Sequence, residues 1–417
     1  GVQTCALPIF EGASSIRTRI QASAAAGFSR FVGRKSELEL MERLQANAQS
    51  GHGQVVAVVG EPGVGKSRLY YEYVRSSRVE QSLVLECGTV SHGKASAYVP
   101  IADLLRSYFG IDDSDPTRVT HERVLGRVLT LDEGLRSAVS PLLAVLDIPV
   151  EDGEWLALDP PVRRKRIQDA VRALLLREAE EQPLVLVLED LHWFDNESLG
   201  VLEGLIDHIG DSRVLMLVNF RPEFTETWPA LSYCSTIRLN PLRAEAATDL
   251  LDHLVGDAQE LGPLKTMLIE RTEGNPFFIE QSVRSLVESG ALKGARGAYQ
   301  LDDPNVPVET PVSVHSVLAA RMDRLEPDSK HVLQCAAIIG KDFPQSVLQK
   351  IVGLEPDVLV AALASLQASE FVYETRLFPA KEYTFQHALT HEVAYESVIR
   401  HRRVELHGWI QIGRAHV

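Results

Sequence analysis

The sequence predicts an α/β protein: a parallel β-sheet sandwiched by helices, followed by a helical lid and a winged-helix domain. Three observations carry that prediction. Five short apolar runs alternate with helical patterns up to about residue 241; helical patterns alone follow; and a hairpin pattern with helices on either side closes the chain. The chain has 417 residues, 45% of them apolar and 24% charged, which is enough for two or three hydrophobic cores and excludes a disordered polymer.

Taken in order, "SELELMERLQ" opens the first helix, with Ser36 expected as its N-cap and Glu39 completing a capping box. The apolar runs "QVVAVV" (54–59), "SLVLEC" (82–87), "LVLVL" (184–188), "RVLMLV" (213–218) and "STIRL" (235–239) are expected strands. Near-continuous apolar character, rather than alternation, is what strands buried on both faces require. Helices are expected at 66–78, 161–181 and 196–209, with Pro160 and Pro161 at one start and Asp195 capping another. Residues 243–289 and 313–369 read as helices interrupted by the polar hairpin "LKGARGAYQLDD"; "FVYET" and "KEYTF" around "RLFPA" read as a second hairpin, the wing after three helices.

These elements predict boundaries. Residues 10–30 form a linker, 31–241 the α/β domain, 242–312 the helical lid region and 313–411 the winged-helix domain. The two ends stand apart. One DNA segment, read on opposite strands and in a shifted frame, could encode both ends, "IGRAHV" (412–417) and a part of "VQTCALPI" (2–9), and it resembles a sequencing-library adapter; residues 1–9 and 412–417 are therefore expected to be artefacts, and the natural chain to continue past both.

Charge and cysteines narrow the partners. A net charge of −15 and a pI near 5.4 repel a phosphate backbone, so nucleic acid is not an expected partner. The one basic run, "RRKR" (163–166), reads as a solvated helix face. Cys5, Cys87, Cys234 and Cys335 show no metal-ligand spacing and suit a reducing, cytoplasmic compartment, and no apolar run is long enough to span a membrane.

The chemistry concentrates in "GEPGVGKSRL". Gly60, Gly65, Lys66 and Ser67 fulfil G-x-x-x-x-G-K-[ST] after a strand and before a helix, which makes the fold a P-loop NTPase. Here Gly60, Glu61, Pro62, Gly63, Val64, Gly65, Lys66, Ser67 and Arg68 would cradle the phosphates: backbone N–H groups turn inward and the helix N-terminus adds its positive end. Lys66 would neutralise the β- and γ-phosphates, and the Ser67 hydroxyl would meet Mg²⁺. Two acids closing an apolar strand are costly without a cation or a water to polarise, so Glu189 is assigned to the metal and Asp190 to the attacking water, with the reverse assignment open. Arg221 reaches a γ-phosphate if its strand lies beside the P-loop strand. Asn275 and Pro276 in "GNPFF" approach the nucleotide from the helical side, although turn chemistry alone also accounts for them. His387, His391, Glu392 and Glu396 share one helix face, and buried or capping histidines fit that pattern better than a metal site.

Read in order, "FVGRKSELELMERL", "GEPGVGKSRL", "LVLVLEDLHWFD", "NFRPEF", "ERTEGNPFFIEQSVRSL", "SVLAARMDRLEPDSKHVLQCAAIIGKDFP" and "YTFQHALTHEVAYESVI" resemble the AAA/ORC-like P-loop ATPase domain of bacterial STAND-type signalling proteins. The resemblance covers about residues 28–410 and is strongest to the ATPase region between a class III adenylate/guanylate cyclase domain and C-terminal tetratricopeptide repeats. It implies an ASCE/AAA-like sheet, ATP and Mg²⁺ as cofactors, and Val32, Gly33 and Arg34 of "FVGR" beside the adenine. It also implies a slowly hydrolysing regulatory switch, with ATP favouring a self-associated form and flanking cyclase and repeat domains as partners. Glu189 stands where many relatives carry aspartate. The alternatives are the ATPase module of a LuxR-type transcriptional regulator, an ORC-like ATPase acting on DNA, or a scaffold that binds no nucleotide.

Overall fold

The computed structural model describes residues 24, 27–76, 79, 81–88, 97–112, 115–224, 231–302, 313–376, 381–403 and 405–407. Both end segments and most of the expected linker lie outside them. The chain divides into two compact units, Ser29–Arg321 and Met322 onward together with the N-terminal residues.

The first unit is built on a five-stranded parallel sheet: β1 (Gln54–Val59), β2 (Leu83–Gly88), β3 (Leu184–Glu189), β4 (Val214–Phe220) and β5 (Cys234–Arg238), in the order β2-β3-β4-β1-β5. Each strand lies within two residues of its apolar run. The order places β4 between β1, which runs into the glycine motif, and β3, which ends in the paired acids. Side chains alternate between two cores, as a parallel sheet covered on both faces requires. Val56, Val58, Val185, Val187, Leu215 and Leu217 pack with α1 (Lys35–Gln49) and α2 (Lys66–Val74). On the opposite face, Val55, Ala57, Leu186, Leu188 and Met216 meet a group of helices.

Most of that second layer comes from one crossover. Between β2 and β3 the chain forms α3 (Val99–Phe109), α4 (Thr117–Leu131), α5 (Val139–Val145), the short α6 (Gly153–Leu156) and the long α7 (Pro160–Glu181); α8 (Asn196–Ile209) completes the layer after β3. Pro160 and Pro161 do sit in the first turn of α7, and the Asp195 side chain caps α8 by accepting from the Ser198 N–H. After β5 come α9 (Ala244–Val255), α10 (Gly262–Thr272) and α11 (Pro276–Glu288), which enclose a separate core of Leu250, Leu251, Leu268, Ile279 and Val283. The hairpin β6 (Leu292–Ala295) and β7 (Ala298–Leu301) leads to α12 (Val314–Asp323), within which the boundary between the units falls.

The second unit contains α13 (Pro327–Ile339), β8 (Asp342–Pro344), α14 (Gln345–Val352), α15 (Pro356–Ala368), β9 (Val372–Arg376), β10 (Glu382–Phe385) and α16 (Ala388–Glu396), its strands forming an antiparallel sheet in the order β8-β10-β9. His387 caps α16 through Nδ1, which accepts from the Leu389 N–H, and buried His391 bonds the Ala337 carbonyl oxygen at 2.9 Å. Among the described residues, no single helix is long and apolar enough to cross a membrane.

Three details depart from the sequence-based reading. Ser36 is not an N-cap: α1 begins at Lys35, and the Ser36 hydroxyl donates to Glu37 inside the first turn. The start moves because Arg34, the residue before it, is drawn inward by carbonyl groups described below. The helix expected over 66–78 ends at Val74. Finally, Asp342–Pro344, placed within a helical run, is a strand against β10.

Candidate nucleotide site

The site lies at the C-terminal edge of the sheet, where β1 runs into the glycine loop and α2. Gly65 precedes α2 with φ +100°, a left-handed conformation that an L side chain resists, and so sets the N-terminus of that helix, with its positive dipole end, beside the glycine loop. Lys66 is nearly buried, and its ammonium donates to the Gly60 and Glu61 carbonyl oxygens at 2.6 and 3.1 Å, inside the loop itself. Ser67 donates from Oγ to Oε2 of Glu189, the last residue of β3. The two residues assigned to one metal from separate motifs therefore touch.

Asp190 follows in the left-handed region, φ +59°, and its N–H donates to Asn219 Oδ1 at 2.9 Å. Asn219 is the polar residue that sequence reading missed. It interrupts the otherwise apolar β4, is fully buried, and its Nδ2 has no hydrogen-bond partner among the described residues. The amide orientation is fixed by chemistry, since a flipped group would set N–H against the Asp190 N–H. An unpaired buried amide donor costs about 1–3 kcal/mol, so its presence beside Asp190 signals an absent acceptor. Arg221 follows β4 directly, and β4 does pair with β1, Phe220 opposite Val59.

Surrounding groups set the electrostatics. Tyr70 of α2 donates to the Val218 carbonyl oxygen at 2.6 Å; burial first, and the Glu189 charge second, push its phenol well above the ordinary value, so it stays neutral. On β2, Glu86 shares the α2-facing side with Glu189; burial and that neighbouring charge raise its carboxyl, against the opposing pull of Arg75.

The "FVGR" segment joins layers. Phe31 packs on the α2-side core and Val32 on the core enclosed by α9–α11, while Gly33 lies so close to Ala246 that a Cβ would come within 2.7 Å of it. Buried Arg34 donates to the Val64 carbonyl oxygen at 3.1 Å and to that of Asn240 at 2.7 Å; its side chain is thus committed to the loop and to the strand-to-lid connection. Burial lowers its pKa, partly offset by Glu37. Arg68 pairs with Glu72 at 2.5 Å and lies 5.8 Å from the Phe31 ring. The helices after β5 reach the loop through Asn275, which accepts from the Phe278 N–H as the cap of α11 and donates from Nδ2 to the Pro62 carbonyl oxygen at 3.0 Å. Pro276 opens α11, and the Phe277 N–H donates to the Gly63 carbonyl oxygen at 3.3 Å.

Sheet order, glycine loop, lysine, serine and strand-end acids together define a P-loop NTPase. Residues 30–218 match the AAA ATPase domain family. An uncharacterized protein of Rhizobium meliloti is 26% identical over 386 residues, covering 90% of this chain and 36% of its own length. Among solved structures, a signal transduction ATPase with numerous domains and a tetratricopeptide repeat sensor, from Pyrococcus horikoshii, superposes with a TM-score of 0.49 at 14% identity, over 91% of this chain and 45% of its own. Cdc6p from Pyrobaculum aerophilum gives 0.39 at 13% identity, over 89% and 97%. The chain thus spans about a third of the Rhizobium relative and under half of the Pyrococcus protein.

Proposed function

We propose that this chain is an ATP- and Mg²⁺-binding switch module that hydrolyses its nucleotide slowly. The observation that carries the reading is the Ser67–Glu189 contact, which brings the hydroxyl of the glycine-loop motif and the carboxylate of the acidic strand to one point. A hydroxyl and a carboxylate oxygen are the hard donors that Mg²⁺ prefers, and the orphaned Asn219 amide supplies the donor that a phosphate oxygen or an attacking water would satisfy. When bound, Mg²⁺ supplies neutralisation of charge across the phosphate oxygens.

The chain's own groups then take defined parts. The N–H groups from Gly63 to Ser67 and the Lys66 ammonium hold the phosphates; Ser67 and Glu189 hold the metal; Asp190 orients water; Asn219 fixes the Asp190 backbone; Arg221 offers a cation at the end of β4. The bonds from Asn275 and Phe277 to the loop support a switching role, because they tie the lid to the segment that changes its partners when phosphates arrive. By family resemblance, the module belongs to a bacterial, cytoplasmic signalling protein, with a nucleotide cyclase domain before it, tetratricopeptide repeats after it, and ATP-dependent self-association.

Affinity for ATP and ADP, measured together with single-turnover hydrolysis on wild type, Lys66→Ala and Asp190→Asn, tests the reading. The expected result is loss of ATP affinity in Lys66→Ala, and intact binding with abolished turnover in Asp190→Asn, wild-type turnover taking minutes or longer. Unchanged affinity in Lys66→Ala would sink the site assignment; fast steady-state turnover would sink the switch.

A further inference from the structure

Among the described residues, the largest fully buried side chain is a charged one, Arg321, at 1% exposure near the end of α12. It lies remote in sequence from every motif of the nucleotide site. Its Nε donates to both carboxylate oxygens of Glu288, at 3.0 and 2.9 Å, its Nη2 to Glu288 Oε1 at 2.6 Å, and its Nη1 to Gln281 Oε1. Glu288 and Gln281 both belong to α11, the former as its last residue. Neighbouring Val317 and Leu318 of α12 are fully buried, so apolar packing already holds this helix. A buried ion pair adds little net stability over an apolar pair, but a forked arginine–carboxylate contact admits few geometries and therefore fixes register.

The other end of α11 is bonded to the glycine loop through Asn275 and Phe277. The loop leaves that end no slack: Gly63 has φ +85°, and a Cβ there would come within 2.8 Å of Asn275 Oδ1. Thus α11, with 13 residues, is a strut of roughly 20 Å whose first turn grips the phosphate loop and whose last turn grips Arg321.

We propose that Arg321 is a positioning residue that couples α12 to the nucleotide site through α11, so that the register of α12 depends on which nucleotide the loop holds. The proposal rests on the nucleotide-binding reading above. A shift of the loop on gaining or losing the γ-phosphate displaces the N-terminus of α11, and the fork at its far end passes that displacement to α12. Reciprocity requires the reverse: breaking the fork changes the discrimination between ATP and ADP, although Arg321 touches neither.

The test uses the full chain as wild type, Arg321→Met, Glu288→Gln, Asn275→Ala and the Asn275→Ala/Arg321→Met double variant. Binding of ATP and of ADP in the presence of Mg²⁺ is measured by calorimetry, and each variant's melting curve is recorded. Arg321→Met is expected to change the ATP:ADP affinity ratio about fivefold or more, a typical coupling, and the double variant to change it no further than the larger single one, because both cut the same strut. A ratio that stays put while the melting temperature falls would reduce Arg321 to a structural residue and overturn the proposal, as would effects of the two substitutions that simply multiply. Should Arg321→Met show no cooperative melt, Glu288→Gln decides: it keeps an acceptor for the guanidinium, and it must move the ratio or the proposal fails. Wild type that binds neither nucleotide would bring down the site assignment and the coupling together, whereas wild-type binding with unmoved variants brings down the coupling alone.

Discussion

At the scale of single residues, Asn219 is the polar group of the site that carries the sharpest prediction. Its Oδ1 holds the Asp190 backbone while its buried Nδ2 waits on an acceptor. Asn219→Ala is expected to lower single-turnover hydrolysis about tenfold to a hundredfold while ATP affinity stays within about threefold, as for loss of one positioned donor. A variant that hydrolyses at the wild-type rate would remove Asn219 from the site. Lys66, Ser67, Glu189 and Asp190 stand out as candidates in the sequence because their types and spacings are themselves chemistry. Asn219 left a fainter signal, one polar residue in the apolar run "VLMLVNF", and it gains meaning only once β4 is known to lie between β1 and β3. Arg34 and Asn275 were candidates from the sequence, and their side chains bond to loop carbonyls, a role that no local pattern encodes.

At the scale of elements, the grip of α11 on the glycine loop makes its own forecast. Gly63→Ala adds a methyl where Asn275 Oδ1 and Phe277 Cβ leave 2.8 and 3.0 Å, at a backbone angle that alanine adopts only under strain. Urea denaturation is expected to show a loss of about 1–3 kcal/mol. A loss no greater than that of an exposed glycine replacement would mean that lid and loop are not tied. The strands were readable because burial on both faces forces continuous apolar runs, a signal that survives without partners. The helices between β2 and β3 were readable only at α7, whose paired prolines and length announce it. The strand Asp342–Pro344 spans three residues, too few for any periodicity to appear, and β10 alone defines it. The capping box at Ser36 failed for the converse reason: a long-range contact of Arg34 overrode a sound local rule.

At the scale of the whole molecule, the charge distribution carries a prediction about duplex DNA. The helix α15, Pro356–Ala368, contains neither lysine nor arginine, and it starts beside Glu355 with Asp357 in its first turn, in a chain of net charge −15. Duplex DNA titrated at low and moderate salt is therefore expected to show no binding, and an affinity that falls steeply with salt would reverse that expectation. The sheet order has one more consequence, which concerns the birth of the protein. In the sheet the P-loop strand pairs with β4 and β5, so its "VVAVV" core has no neighbour until the ribosome has made roughly 160 further residues, through Phe220. At a translation rate of about 5–20 residues per second that wait lasts roughly 8–32 s. Throughout it, an apolar strand of the nascent chain stands unpaired, a natural client for chaperones, and a ribosome stalled short of β4 releases a fragment with every residue of the phosphate loop and no neighbouring strand to hold it.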